Sequence, residues 1–225
     1  MNTPAPTNIA ARLWDLPTRL FHWTLVVLIA LQYATGEFDL LDLRWHFWFG
    51  YATLALVLFR ILWGLFGSQT SRFSHFVRGP SAVVAYVRAL FAPAKEPAVG
   101  HNPVGGWSVL ALLACVLVQA ASGLFASDGI DNDGPLAARV SAATVKLMTR
   151  VHHWTQNVLL LLIAMHVAAA LLYLLVGREN LIAPMISGKK PLAQPPALMF
   201  ASGWKALMCL AVAVAAVALL LGLGG

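Results

Sequence analysis

The chain has 225 residues, 60% hydrophobic and only 11% charged, with a formal net charge of +6. Soluble domains carry about 25% charged residues, so this composition points away from a water-soluble fold and toward a membrane protein. The basic residues are spread between short loops and form no basic domain, which argues against nucleic-acid binding.

The N-terminal stretch MNTPAPTNIA is polar and Pro-rich, and the first apolar run follows Arg12 and Arg19. No small-residue cleavage site follows that run, so it reads as a retained transmembrane helix and not a secretory signal. A helical span needs about 20 mostly apolar residues. Five runs qualify: Leu20–Phe38, His46–Phe66, Trp107–Phe125, Val151–Val176 and Lys205–Leu223. The fourth is the longest and is expected to tilt or to project beyond the lipid. Between the second and third, SAVVAYVRAL at Ser81–Leu90 is amphipathic and too short to span, so it is expected to lie on the membrane surface. The expected fold is all-α: an integral membrane bundle with a four-helix core over residues 12–190, then a Pro-rich linker and a C-terminal fifth transmembrane helix over 191–225. Cys115 and Cys209 both sit in apolar stretches and read as small buried hydrophobes, with no disulfide framework or zinc site.

Charge orients the spans. With the N-terminus in the cytoplasm, that side holds Arg12, Arg19, Arg60, Arg72, Arg78, Arg88, Lys95, Arg178, Lys189, Lys190 and Lys205, against Asp15, Glu96 and Glu179. The other side holds Arg44, Arg139, Lys146 and Arg150, with Glu37, Asp39, Asp42, Asp128, Asp131 and Asp133. This Lys/Arg bias predicts a cytoplasmic N-terminus and a periplasmic C-terminus in a bacterial inner membrane.

Histidine is costly in lipid unless it is paired, ligated or faces a polar cavity. His152 and His166 share the fourth run and are fourteen residues apart. At about 100° and 1.5 Å per residue they share a face and are separated by about 21 Å along the helix. His153 would lie about 140° from His166, so His152 is the better partner. Matched by depth, His22 opens span one level with His166, and His46 opens span two level with His152. Each pair, His22–His166 and His46–His152, is suited to the two axial positions of a non-covalent b-type haem. No CxxCH is present to attach a c-type haem. The metal ligands expected are therefore His22, His46, His152 and His166. Haem propionates need cationic partners in low dielectric. Arg19 and Arg60 are candidates on the cytoplasmic side, with snorkelling as the competing account of Arg60. Arg44 and Arg150 are the external candidates, and Gly50 and Gly123 are positions where a missing side chain would make room. His75 and His101 read as solvated loop residues, and His153 as a residue facing headgroups or the edge of the external site.

RLFHW at 19–23, RWHFWFGYATLALVLFRILWGLFG at 44–67, SRFSHFVRGP at 71–80 and VHHWTQNVLLLLIAMHVAAALLYLLVGRENLIAPMISGKK at 151–190 together resemble the bacterial di-haem cytochrome b561 family, which includes the b-type cytochrome subunit of nickel-iron hydrogenases. The resemblance covers roughly residues 12–190. It implies four core helices holding two b haems and electron exchange between membrane quinone and a redox partner. Carried over by position, the ligands it implies are His22, His46, His152 and His166. One departure is His153, where such proteins often have Glu.

The expected function is electron transfer between the membrane quinone pool and a periplasmic partner such as a c-type cytochrome. The loops EFDLLD and SDGIDNDG offer acidic surface to a basic partner. Quinone is the natural lipid-phase reactant, since no nucleotide motif is present. One alternative is a quinone-linked oxidoreductase acting directly on a small external substrate such as superoxide, guided by Arg44, Lys146 or Arg150. Another is a non-redox scaffold or transporter.

Overall fold

The computed structural model describes residues 9–38, 40–89, 100–194 and 196–223. Asp39, Lys95 and Glu96, which enter the charge bias, and Leu90 lie outside these. Long helices dominate: α1 Leu16–Glu37, α2 Leu43–Phe66, α5 Pro103–Gly123, α6 Ala142–Leu175 and α8 Gly203–Gly222. Shorter ones are α3 Phe73–Phe76, α4 Pro80–Ala89 and α7 Ile182–Ser187. Four helices, α2, α5, α6 and α8, are both long and apolar enough to cross a membrane. α1 has 22 residues, but His22, Thr24, Gln32 and Thr35 dilute its hydropathy. α6, at 34 residues, is about 51 Å long against a hydrocarbon core of about 30 Å, so it must tilt or extend past the lipid.

The helix starts follow local chemistry. Asp15 caps α1 by accepting from the Thr18 N–H at 2.8 Å, with Pro17 in the first turn. Asn102 accepts from the Gly105 N–H at 2.7 Å and precedes Pro103, which lacks the N–H that a first-turn residue would leave unpaired. Ser141 caps α6 through Thr144 at 3.2 Å. Gly188, at φ 79°, ends α7 in the left-handed conformation.

The all-α expectation needs one addition. Strand β1 (Ile9–Arg12) pairs antiparallel with β2 (Lys189–Leu192), in the register Ile9 to Leu192 and Arg12 to Lys189. This ribbon ties the N-terminal segment to the segment after α7 and runs across residue 190. Lys190, buried within it, makes a 2.6 Å ion pair with Glu179.

α1 packs along α2, α5 along α6, and α8 along α2. Cys209, Ala213 and Val217 are the buried residues of α8, at i, i+4 and i+8, and form the small-residue seam against α2. The fifth apolar run is thus a packing helix, and Leu207, Met208 and Val212 on its outer face are exposed. Cys115 and Cys209 are free thiols, half-buried and buried. At mid-height Val57, Val116 and Leu159 form a buried apolar cluster, joined by Leu25, Ile29, Leu112 and Ile163, so that α1, α2, α5 and α6 all contribute.

Candidate functional site

α6 carries two of the four histidines, and its only buried residue is Leu159, seven positions from each. His152 faces His46 on α2, with ring centroids 6.2 Å apart. His166 faces His22 on α1 at 6.3 Å. The structure thus brings together the two pairs that helical phase and depth select. His153 lies beside His152 and is exposed.

The His46–His152 pair is held by backbone carbonyls and small polar side chains. Nδ1 of His46 is 3.1 Å from the Gln32 carbonyl and 3.3 Å from the Thr35 hydroxyl. Nδ1 of His152 is 2.9 Å from the Gln119 carbonyl and 3.3 Å from the Ser122 hydroxyl. An Nδ1–H donated to a carbonyl leaves the Nε2 lone pair free to bind a metal. Nε2 of His152 meets the Gln119 side-chain amide at 3.2 Å, and the Thr155 hydroxyl bonds that amide's oxygen. Metal at Nε2 would replace the amide contact. Each ring also rests on a glycine: a β-carbon at Gly36 would stand 2.9 Å from Cε1 of His46, and one at Gly123 2.9 Å from Cε1 of His152. Gly36, Gln32 and Gln119 escaped the reading by helical phase because their role is set by a neighbouring helix. Gly50 faces Gln32 instead of a histidine.

The His22–His166 pair has Trp23 beside it and cations nearby on α1 and α2, and His166 itself is exposed. Arg60 is 2% exposed and buried between the rings of Phe21, Phe73 and Phe76, 5.2 to 6.0 Å from its guanidinium carbon. Its Nη1 has no hydrogen-bond partner among the described residues. Snorkelling to the surface is therefore not what this side chain does. Arg19 donates to the Ile186 carbonyl at 2.5 Å while its Nε is buried without a partner among the described residues, and Trp23 donates to the Met185 carbonyl at 3.2 Å. These contacts fold α7 over the end of α1 that holds His22. Nδ1 of His22 is likewise buried, with no partner among the described residues.

His101 departs from the solvated-loop expectation. Its ring packs 4.8 Å from Trp14 and 4.5 Å from Phe76, and its Nδ1 is buried with no partner among the described residues. Burial first, then the charges of Arg60 and His166, pull its pKa down to about 3. Asp15, 1% exposed, accepts from the Trp63 indole at 3.1 Å as well as capping α1, which locks the start of α1 to the end of α2.

The remaining external candidates are looser. Arg44 forms an exposed 3.9 Å ion pair with Asp42, a geometry worth little in water. Arg150 and Lys146 line a recess of about 550 Å³ together with Asp128 and Asp133. In that loop the Asp128 carboxylate accepts the Asn132 side-chain amide at 2.7 Å and the backbone N–H groups of Ile130, Asp131 and Asn132. These bonds, led by Asn132, lower its pKa to about 2.

A metal–imidazole bond is about 2 Å and the ring centroid lies about 1 Å behind the nitrogen, so opposed imidazoles on one metal stand roughly 6 Å apart. Both pairs fit. Among the described residues no cluster of three or more His, Cys, Asp or Glu side chains is set to hold a bare ion. A metal gripped by two imidazoles must bring its other ligands with it, as porphyrin iron does. The unpartnered nitrogens of Arg19 and Arg60 suit the carboxylates of such a group.

An apolar multi-pass bundle with histidines paired across its helices is the architecture of membrane cytochromes of the b type. The chain matches the family model for prokaryotic cytochrome b561 over residues 13–188 and belongs to that family. It is a multi-pass inner-membrane haem protein of electron transport. No curated protein and no solved structure matches the chain significantly.

Proposed function

We propose that the protein holds two b haems, one between His22 and His166 and one between His46 and His152, and passes electrons between membrane quinone or quinol and a periplasmic redox partner. The observation that carries this reading is that one helix, α6, faces two others with imidazole pairs at 6.2 and 6.3 Å. Bound haem would supply one-electron oxidation and reduction. The residues of the chain do the rest. The Gln32 and Gln119 carbonyls orient the external imidazoles, and Arg19 and Arg60 neutralise propionates. Leu159, Val57 and Val116 exclude water between the two pairs. In this reading α1 crosses the membrane with the other four long helices, the N-terminus is cytoplasmic and the C-terminus periplasmic. The acidic loop around Asp128 would meet a basic soluble cytochrome.

A second reading, direct reaction with a small external anion, draws on the recess at Lys146 and Arg150, although Asp128 and Asp133 on the same wall oppose it. A pyridine haemochrome assay should give about two non-covalent haems per chain, and stopped-flow mixing with quinol should reduce them. A haem content near zero rejects the cofactor assignment, and failure of quinol to reduce either haem rejects the quinone assignment. In proteoliposomes, electron delivery to an external cytochrome separates the first reading from the second.

A further inference from the structure

Where α2 ends and α8 begins, two distant parts of the chain are sewn together. The Gln69 N–H donates to the Met199 carbonyl at 2.9 Å, the Met199 N–H to the Gln69 side chain at 3.0 Å, and the Ala201 N–H to the Ser68 hydroxyl at 3.0 Å. A recess of about 210 Å³ opens beside this seam, with Arg72 and Lys205 among the residues that line it, and none of those residues is acidic. Arg72 has a buried Nε with no hydrogen-bond partner, and neither cation has an ion pair among the described residues. A third cation stands nearby: the Arg12 guanidinium lies 4.2 Å over the ring of Phe200, which also lines the recess. α8 starts here too, and its N-cap Ser202 makes no side-chain capping bond, so the positive end of a 20-residue helix adds to the same field.

The surroundings are apolar and face outward. Leu65, Phe66, Met199 and Trp204 are 55 to 69% exposed around this point, at the ends of two membrane-length helices. An exposed tryptophan at a span terminus sits at headgroup depth. A free anion would use the cations and leave the apolar rim bare, whereas a lipid phosphate would use both.

We propose that this recess binds the phosphate of an anionic phospholipid between Arg72 and Lys205, with the acyl chains running along Phe66 and Met199. The proposal is independent of haem ligation, because none of these residues touches a histidine pair.

Native mass spectrometry of the full-length, haem-loaded protein tests it, with phosphatidylglycerol or phosphatidylcholine added in detergent. One phosphatidylglycerol per chain should be retained in clear preference to phosphatidylcholine. Each cation removed should weaken retention about fivefold, in Lys205→Gln and further in Arg72→Gln/Lys205→Gln, with the haem spectrum unchanged. Lys205 is exposed, so Lys205→Gln alone decides the matter should the double variant fail to assemble. Equal retention of the two lipids, or retention unchanged in Lys205→Gln, overturns the proposal. Displacement of phosphatidylglycerol by inorganic phosphate at equal concentration would show that the recess reads a free anion, and would overturn the lipid assignment.

Discussion

Gly123 lies so close beneath His152 that a β-carbon at position 123 would stand 2.9 Å from the ring carbon Cε1. Gly36 has the same relation to His46 on the opposite helix. The imidazoles of His46 and His152 are therefore both seated on bare backbone, and a neighbouring carbonyl fixes the rotation of each.

Gly123→Ala should push His152 off that seat. The overpacking is expected to cost about 1–3 kcal/mol and to lower haem occupancy at the His46–His152 pair while sparing the His22–His166 pair. Haem-to-protein ratio and thermal melting of the purified variant check this. Unchanged values in both would show that the ring has room to give.

Removing one ligand should remove one haem. His166→Ala should take the content from about two per chain to about one by emptying the His22 pair, and His152→Ala should do the same at His46. His153→Ala should keep both, because among the described residues the one ring His153 meets is that of His152 on its own helix. Loss of haem in His153→Ala with retention in His152→Ala would reverse the assignment within the adjacent pair.

Leu159 is the one buried residue of α6, at the midpoint between its histidines. Truncating it opens a cavity against Val57 and Val116. Leu159→Ala should destabilise the bundle by about 2 kcal/mol, toward the low end of the Leu→Ala range because lipid offers no large transfer term. Leu207→Ala, on the exposed face of α8, should cost less than about 0.5 kcal/mol. Denaturation of the two variants side by side tests the contrast, and equal costs would contradict a packed partition at Leu159.

His101 links stability to pH. Its pKa is about 3 in the folded protein, against an ordinary value of 6.5. Between those values the unfolded chain takes up a proton that the native state refuses. The contribution is therefore complete above pH 6.5 and is lost as pH falls toward 3. At pH 5.5 the loss is about 1 kcal/mol relative to pH 8. His101→Phe should flatten this part of the curve in thermal melts run across that range. An identical pH slope in the variant would mean that other groups carry it.

Helical periodicity is a local property, and what depends on it was legible from the chain alone. The apolar runs mark the four membrane-length helices, the fourteen-residue interval sets His152 and His166 on one face, and depth along each run matches His46 and His22 to them. The charged and Gly/Pro-rich breaks mark the turns. Other features depend on how separate helices rotate against one another, and no local pattern carries that information. The glycine seats, the Gln32 and Gln119 carbonyls that orient the rings, the enclosure of Arg60 by three phenylalanines and the packing of the His101 ring between Trp14 and Phe76 are all of this kind. So is the ribbon between residues 9–12 and 189–192, whose strands are too short to announce themselves and form only because the two segments meet at one end of the bundle. The amino-acid sequence by itself determined which side chains lie at which height along each helix and which of them share a face. Tertiary packing alone decided what each of them touches, because contacts between helices are set by shape and rotation and not by spacing along the chain.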